Sequence, residues 1–234
     1  MTVSIGTVIQ ARMGSRRLPG KVLLPLAGRP ILEHVVRRVR ACAAAGPVTV
    51  ATSTAADDDA IAAWCLGAGV PVVRGSLDHV AQRFVAAADA AGLSAAVRIT
   101  ADSPLIDPAL IDAVCRLYRT GAAVGPIDLA TNVFPRGFPK GQSVEVITVD
   151  SLRRQLPSLT EPDLREHITT IFYRHPERFT IRALRAPGTF ADEQFSVDTA
   201  DDLARADALL RRVPHWDAGC GWAELRAVAA GVPL

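Results

Sequence analysis

Short apolar runs alternate with longer stretches in which apolar residues recur at helical spacing. Four runs rich in β-branched residues predict buried strands, at residues 3–10, 48–53, 70–74 and 95–100. Three stretches between them predict amphipathic helices, at residues 31–45, 57–66 and 79–91. Pro30 suits the first turn of the first helix, and Gly46 suits its C-terminal cap. Because strands and helices alternate without hairpin signals, we expect an α/β fold: a three-layer α/β/α sandwich around a mostly parallel, Rossmann-like sheet.

The pattern loosens after residue 125. It predicts strands at 144–149 and 179–183, and helices at 163–173, 201–212 and 222–230. A further helix begins at Asp107-Pro108, where Asp107 can cap the helix and Pro108 can occupy its first position. No repeat, low-complexity linker or shift in composition divides the chain. We therefore expect a single domain over residues 1–213, followed by a C-terminal helical tail at 214–234.

Composition narrows the class of protein. The chain has 234 residues, of which 49% are hydrophobic and 21% charged, so a stable core is easily built. A net charge of +2 gives no reason to expect a nucleic-acid or membrane partner. The four cysteines are widely spaced and form no zinc-ligand pattern. With no signal peptide and no apolar run of ~18 residues, we expect a reduced, cytoplasmic, soluble protein.

The segment Q-A-R-M-G-S-R-R-L-P-G-K at 10–21 directly follows the first predicted strand. It carries Arg12, Arg16, Arg17 and Lys21 at the place where parallel sheets bind ligands. A Walker loop is excluded, because the glycine spacing is one residue too long and Val22 replaces the magnesium-binding hydroxyl. Glycine backbone, arginine forks and an ammonium group together suit a triphosphate. A solvated basic loop is the alternative.

Three carboxylates are also candidates for site chemistry. Asp102 follows a strand ending at Thr100 and is not needed as a helix cap, so it is either a salt-bridge partner or a metal ligand. Asp198 is either a second metal ligand or, like Thr199, a cap for the helix that follows. Magnesium takes one or two carboxylates together with phosphate oxygens and water. Glu145 lies within the apolar run V-E-V, where a charge is costly unless it faces a site.

The segment at 10–21 closely resembles the opening motif of the cytidylyltransferases that activate acidic sugars, such as the 3-deoxy-manno-octulosonate and N-acylneuraminate enzymes. It is closer still to their SpsF-like branch of spore-coat polysaccharide biosynthesis. The resemblance spans about residues 3–212 and continues, in order, through R-G-S-L-D-H-V-A-Q-R-F at 74–84, R-I-T-A-D-S-P-L-I-D at 98–107, Q-S-V-E-V at 142–146, R-E-H-I-T at 165–169 and F-S-V-D-T-A-D-D-L at 195–203.

This resemblance implies an enzyme in which a hydroxyl of a small acceptor attacks the α-phosphate of CTP, giving a CMP-linked product and pyrophosphate. The nucleotide would be bound within about residues 1–125 and the acceptor within about 126–213. Asp102 and Asp198 match the two aspartates that hold Mg²⁺, and Lys21, Arg12 and Asp102 are the expected catalytic residues. The expected nucleotide-binding residues are Ala11, Arg12, Gly14, Ser15, Arg17, Lys21, Arg74, Thr100 and Ala101.

The acceptor is expected to be a sugar, a sugar acid or a related small molecule, and the group that receives CMP is a hydroxyl or, alternatively, a phosphate or phosphonate. Its candidate binding residues are Asn132, Arg136, Lys140, Glu145, Arg165 and His167. The alternatives stay open that Arg165 and Glu166 are solvated helix residues and that His167 is a half-buried structural histidine. The chain departs from the SpsF-like pattern at Ala101, where a glycine is usual, at Ser143, where an aspartate is usual, and at His79, where an acidic residue is frequent.

Two other functions are weighed against cytidylyl transfer. A nucleotide-sugar glycosyltransferase would be supported by a D-x-D metal motif, but Asp57-Asp58-Asp59 lies at a predicted helix start and is typical of capping charge. A non-catalytic nucleotide-binding subunit would be favoured by loss of Lys21 or of either aspartate, and all three are present. Homodimers are common in the related enzymes, so a homodimer is the assembly to test.

Overall fold

The structure is a computed structural model that describes residues 3–213, 216 and 219–231. In this part of the chain, nine strands are, in chain order, β1 (Ile5–Gln10), β2 (Pro25–Leu26), β3 (Arg29–Pro30), β4 (Val48–Ser53), β5 (Val72–Gly75), β6 (Ala95–Thr100), β7 (Leu129–Thr131), β8 (Glu145–Thr148) and β9 (Ile181–Ala183). The helices are α1 (Ile31–Arg40), α2 (Asp59–Gly67), α3 (Val80–Ala90), α4 (Pro108–Val124), α5 (Val149–Gln155), α6 (Pro162–Glu166), α7 (Thr170–Arg174), α8 (Ala200–Arg212) and α9 (Trp222–Ala229).

A seven-stranded sheet has the order β5-β4-β1-β6-β8-β7-β9. Strand β1 pairs in parallel with β4 and with β6, whereas β8 runs antiparallel to both of its neighbours, β6 and β7. Strands β2 and β3 form a separate antiparallel hairpin after the basic loop. From β1 the chain adds β4 and then β5 on one side. It then returns to place β6 on the other side of β1, so the direction of strand addition reverses between β1 and β6.

Alternating side chains of the strands enter two cores on opposite faces of the sheet. Ile9 faces the core that contains Val35 of α1 and Ile111 of α4. The neighbouring Val8 faces the other core, with Phe84 of α3 and Phe172 of α7. Helices thus cover both faces, and the predicted three-layer α/β/α sandwich with a mostly parallel sheet is confirmed.

A third apolar cluster attaches the C-terminal helices to the body. Leu209 of α8 and Leu225 of α9 pack with Leu26 of the hairpin and with Leu105, which follows the end of β6. Val197 is fully buried in the same cluster, so the adjacent Asp198 is held beside the basic loop. The predicted tail helix at 222–230 is observed as α9; residues 214–215, 217–218 and 232–234 of the tail lie outside the described residues.

Three sequence predictions are wrong in detail. The helix predicted to reach residue 45 ends at Arg40, and Gly46 is not its cap. Gly46 has φ +64° and passes so close to β1 that an added Cβ would lie 2.0 Å from the Ile5 carbonyl oxygen. The helix predicted at 163–173 is broken into α6 and α7, because His167 leaves helical geometry while Ile168 and Thr169 turn inward and are buried.

The pattern also missed β7, α5 and the β2–β3 hairpin, all of which are short. No helix among the described residues has the length and apolar character needed to cross a membrane.

Candidate active site

A cavity of about 550 Å³ opens at the carboxyl ends of β1 and β6. This is the point where the strand order reverses, which is where open α/β sheets bind their ligands. Its wall is formed by the ends of the two strands, the basic loop, the start of α3, the end of α6 and Asp198. The lining includes six arginine or lysine side chains and three aspartate or glutamate side chains. The cavity is therefore polar and carries an excess of positive charge.

Lys21 lies at the centre of the charged residues and is only 8% exposed. Its ammonium donates to Asp102 Oδ2 at 2.8 Å, to Asp198 Oδ1 at 2.9 Å and to the Val197 carbonyl at 2.9 Å. These three acceptors use all three donors of the ammonium group. Lys21 therefore holds two carboxylates from distant parts of the chain together, and it must release one acceptor to contact a phosphate.

Backbone hydrogen bonds position the two aspartates beside the loop. Asp102 follows β6, and its carbonyl accepts a hydrogen bond from the Val197 N–H at 2.8 Å, which joins the two segments. Thr199 caps α8 in a reciprocal capping box with Asp202, so Asp198 is not the helix cap. Burial alone would raise the pKa of Asp198, but the Lys21 hydrogen bond and the charges of Lys21 and Arg17 outweigh it and hold that pKa below its usual value. Asp198 is therefore ionised and faces the cavity.

The arginines of the loop contact acidic residues at the cavity rim. Arg17 lies 3.1 Å from Asp198 Oδ1, and its side chain is 65% exposed. Arg12 forms an ion pair with Glu166 at the end of α6, which joins the loop to the opposite wall. Ser15 makes a local turn, in which its hydroxyl accepts from the Leu18 N–H at 3.4 Å. Apart from Lys21, the basic side chains of the loop stay largely solvated and open to a ligand.

Asp58 stabilises the basic loop through a hydrogen bond to the loop backbone, a role that was not predicted from the sequence. It is 2% exposed and accepts hydrogen bonds from Met13 N–H at 2.7 Å, from Ser53 N–H at 3.1 Å and from the Ser53 hydroxyl. Burial opposes its ionisation, but these hydrogen bonds outweigh that effect and lower its pKa. Asp58 occupies the N-cap position of α2, as the capping interpretation expects, but its side chain makes no capping hydrogen bond and contacts the loop instead. Its position shortly after β4, the parallel neighbour of β1, is the sequence signal that could have placed Asp58 near the loop that follows β1.

A buried network of hydrogen bonds and one ion pair lies at the part of the cavity wall formed by β6. Glu145, 2% exposed, forms an ion pair with Arg98 at 2.5 Å and accepts from the Tyr173 hydroxyl at 2.5 Å. Arg98 also donates to Gln10 Oε1 at 2.7 Å, and both Arg98 and Gln10 line the cavity. Burial, followed by the charge of Glu145, raises the pKa of Tyr173, so its phenol stays protonated. Glu145 thus positions Arg98, which the sequence analysis did not single out although a charge inside V-R-I-T carries the same signal as V-E-V.

The structure brings most of the predicted nucleotide-binding and metal residues to this cavity. Its lining contains Ala11, Arg12, Gly14, Ser15, Arg17, Lys21, Thr100, Ala101, Asp102 and Asp198. Of the predicted acceptor residues only His167 lines it, and the side chain of His167 is 59% exposed. Glu166 lines it as well and is paired, whereas the sequence left open that it was a solvated residue.

Six predicted site residues lie elsewhere. Arg74 donates to the carbonyls of Ser53 and Ala55 and pairs with Asp59 at 2.6 Å, which fixes the start of α2. The others outside the cavity lining are Asn132, Arg136, Lys140, Glu145 and Arg165.

Asn132 is 1% exposed and bonds the backbone of Gln142 and Val144, so its amide braces two segments. Arg136 and Lys140 are exposed. Arg136 donates to Ser143, and Arg165 donates to the Leu159 carbonyl. The binding roles predicted for these residues stay predictions.

The arrangement suits one kind of chemistry. A cationic, glycine-containing loop at the switch point can hold an extended anion, and two carboxylates beside it can hold a divalent cation. Among the described residues no group of three or more His, Cys, Asp or Glu side chains gathers, so a metal there would need phosphate oxygens or water to complete its shell. Fold and site together indicate an α/β protein that binds a phosphorylated ligand, such as a nucleotide, at the switch point of its sheet.

Comparison with known proteins narrows this class. A model of the cytidylyltransferase family matches residues 7–228. The chain is 33% identical over 214 residues to the spore coat polysaccharide biosynthesis protein SpsF of Bacillus subtilis (strain 168), covering 88% of this chain and 85% of that protein. It is 30% identical to the 3-deoxy-manno-octulosonate cytidylyltransferase of Methylibium petroleiphilum, over 89% of this chain and 96% of that protein. The chain belongs to the cytidylyltransferase family.

A solved structure agrees with this assignment. A cytidylyltransferase from Leptospira borgpetersenii serovar Hardjo-bovis matches with a TM-score of 0.92 at 29% identity, covering 98% of this chain and 95% of that one. The resemblance expected from the motif at 10–21 is therefore confirmed, and so is the class of reaction: the protein is a nucleotidyltransferase that uses CTP.

Proposed function

We propose that this protein transfers CMP from CTP to a hydroxyl of a sugar, a sugar acid or a related small acceptor, with release of pyrophosphate, in the cytoplasm. The observation that carries the site assignment is the contact of Lys21 with both Asp102 and Asp198 in the lining of a cationic cavity. Family membership supplies the nucleotide, and the relatives' roles in polysaccharide and sugar-acid metabolism suggest the acceptor class.

In this proposal the loop binds the triphosphate. Backbone N–H groups near Gly14, together with Arg12 and Arg17, neutralise the phosphate oxygens, and arginine can do so two oxygens at a time. Arg12 then exchanges Glu166 for phosphate. Lys21 gives up one of its three acceptors and offsets the charge that builds as pyrophosphate leaves.

Asp102 and Asp198 are the proposed ligands of Mg²⁺. Their side chains are 28% and 26% exposed, they line the cavity, and carboxylates are the ligands that magnesium prefers. Each retains an oxygen held only weakly, by Ser103 at 3.3 Å and by Gln194 at 3.3 Å, so the donor set fits a divalent cation. When bound, such an ion supplies charge neutralisation at the reacting phosphate.

The acceptor is proposed to enter from the side of α6 and β6. Arg98 and His167 line this part of the cavity, and Arg98 is held rigidly by Glu145 and Gln10. The glycosyltransferase alternative gains no support, because Asp58 of the D-D-D run is buried under the loop rather than placed in the cavity. The homodimer stays a prediction.

The test follows the two ends of the triphosphate separately. Purified protein is incubated with Mg²⁺ and with CTP that is labelled at either the α- or the γ-phosphate. Each reaction contains one candidate acceptor from a panel of sugar acids, neutral sugars and sugar phosphates. We expect α-label in an acceptor product and γ-label in pyrophosphate. Hydrolysis of CTP to CDP and phosphate, or transfer of γ-label to the acceptor, would contradict cytidylyl transfer.

A further inference from the structure

Glu166 is the last residue of α6, and it lines the cavity on the side opposite the basic loop. Its carboxylate forms an ion pair with Arg12, and the two side chains are 46% and 42% exposed. Ion pairs as open to solvent as this one are weak, and Arg12 is the residue that the proposed function assigns to a phosphate. Binding of CTP therefore takes the cation away from Glu166 and leaves its carboxylate facing the cavity.

The end of α6 is fixed by contacts of its own. Leu164 and Ile168, on either side of Glu166 in the chain, are both buried. The Arg165 guanidinium donates to the Leu159 carbonyl at 3.1 Å, which joins the helix to the segment before it. Glu166 therefore keeps its place when its partner in the loop turns to a phosphate.

The structure describes two other carboxylates in the cavity wall, and both are already engaged. Asp102 and Asp198 each accept a hydrogen bond from Lys21, and both are the proposed ligands of Mg²⁺. Oxygens that bind an ammonium group and a metal ion are poorly placed to take up a proton as well. Among the described acidic residues of the wall, Glu166 is thus the one suited to receive a proton from the acceptor.

The ion pair also indicates where that proton would come from. Arg12 is the loop arginine that faces α6, whereas Arg17 contacts Asp198, so Arg12 is assigned to the α-phosphate, which the acceptor must reach. Because Arg12 and Glu166 are in contact, a phosphate bound by Arg12 lies next to the Glu166 carboxylate. Two anions at this range repel each other unless a donor lies between them. A hydroxyl is such a donor: it gives its hydrogen to the carboxylate and turns its oxygen toward phosphorus, which is the arrangement that attack requires.

We propose that Glu166 is the general base of the transfer and is uncovered when CTP draws Arg12 away. The hydroxyl oxygen of the acceptor forms a bond to the α-phosphorus while its proton passes to a carboxylate oxygen of Glu166. The bond between the α-phosphorus and the oxygen that bridges it to the β-phosphate breaks, and pyrophosphate leaves with that electron pair. Glu166 then returns the proton to water. The inference rests on the proposed function, in which a hydroxyl receives CMP.

The first test compares Glu166→Gln, which keeps the shape of the side chain but cannot take up a proton, with Glu161→Gln. Glu161 is an exposed residue just before α6 that pairs with Arg174 and lies outside the cavity lining. With Mg²⁺, CTP and a hydroxyl acceptor, we expect the kcat of Glu166→Gln to fall at least about 100-fold, as for the loss of a general base. CTP affinity without acceptor should rise by up to about fivefold, because Arg12 loses a competing carboxylate. Glu161→Gln should change neither quantity.

A second variant, Glu166→Ala, tests the proton transfer itself. Added formate supplies a small carboxylate in the space that the side chain leaves, so it should raise the rate of this variant at least about tenfold without raising the wild-type rate. A loss of rate that formate does not restore would make Glu166 only a binding contact for the acceptor. A fall in CTP affinity as large as the fall in kcat would make it only a support for the loop. A kcat within about threefold of wild type would also overturn the proposal.

His167 also lines the cavity and is the rival proton acceptor. If His167→Ala lost the rate and added imidazole restored it, while Glu166→Ala stayed active, the base would be His167. The wild-type protein separates these results from a failure of the proposed function. If it binds CTP but transfers CMP to no hydroxyl acceptor, the proposed function fails before any variant is compared.

Discussion

Asp58 supports the basic loop through buried hydrogen bonds, so replacing it should affect both stability and CTP binding. Asp58→Ala removes the acceptor of the Met13 and Ser53 N–H groups and leaves both without a partner. A buried donor left unsatisfied costs about 1–3 kcal/mol, so two of them predict a loss of about 3 kcal/mol in the free energy of unfolding. Because Met13 lies within the loop, we also expect the KM for CTP to rise by about tenfold.

Asp57→Ala is the matched control. Asp57 belongs to the same acidic run but is exposed, so its replacement should change stability by less than about 0.5 kcal/mol. Urea denaturation gives the two free energies, and steady-state kinetics gives the two KM values. If Asp58→Ala were as stable as Asp57→Ala and bound CTP equally well, the proposed support of the loop would be refuted.

The pH dependence gives a second measurement on the same residue. The pKa of Asp58 is lowered in the folded protein from its model-peptide value of 3.8. Its contribution is therefore fully present above that value and is lost as the pH falls through the lower folded pKa. The stability difference between wild type and Asp58→Asn should narrow on acidification below about pH 4. A difference that widened there would show that the sign is wrong.

Three further predictions concern the surroundings of the cavity. Gly141→Ala should lower stability by at least about 2 kcal/mol and reduce turnover, because Gly141 has φ +89° and an added Cβ would lie 2.4 Å from the N of Ser196, two residues before Asp198. Gly67→Ala, with open space around it, is its control in thermal unfolding. Tyr173→Phe should cost about 1–2 kcal/mol in urea denaturation, since it loses a hydroxyl bonded to Glu145 and Thr131. Glu145→Ala should cost about 3–5 kcal/mol, because it leaves Arg98 buried without its partner; a smaller loss than that of Tyr173→Phe would contradict the assigned pairing.

The periodic parts of the chain were predictable because their burial pattern is local. Strand β6 was placed at its observed bounds because it is a short, almost wholly apolar run. Helix α8 was placed within one residue because it combines an apolar pattern with a clear N-terminal cap. Strand β7 and helix α5 were missed because three or seven residues do not establish a period. The break between α6 and α7 depends on the burial of Ile168 and Thr169 against other elements, which no local pattern reveals.

The candidate site also combines features that a local sequence pattern predicts with features that depend on tertiary contacts. Lys21, Asp102 and the loop could be predicted, because the carboxyl ends of β1 and β6 meet wherever parallel strands are neighbours. Whether Asp198 was a cap or a site residue could not be decided from V-D-T-A-D-D, since both roles use an acidic residue before a helix. The role of Asp58 could not be predicted, because it depends on how the start of α2 packs beside the loop that follows β1, which is a property of the fold.

The proposed transfer is tested most directly by pyrophosphate release in three proteins under saturating CTP and Mg²⁺, with an acceptor that the labelling experiment has identified. These are wild type, Lys21→Met and Arg116→Ala, the last being an exposed basic residue on α4 outside the cavity. Thermal unfolding establishes that all three are folded. We predict that Lys21→Met releases pyrophosphate at least 100-fold more slowly than wild type, about 2.7 kcal/mol in the barrier, while Arg116→Ala is unchanged. If a folded Lys21→Met protein kept the wild-type rate, the centre formed by Lys21, Asp102 and Asp198 would not be the site of the reaction.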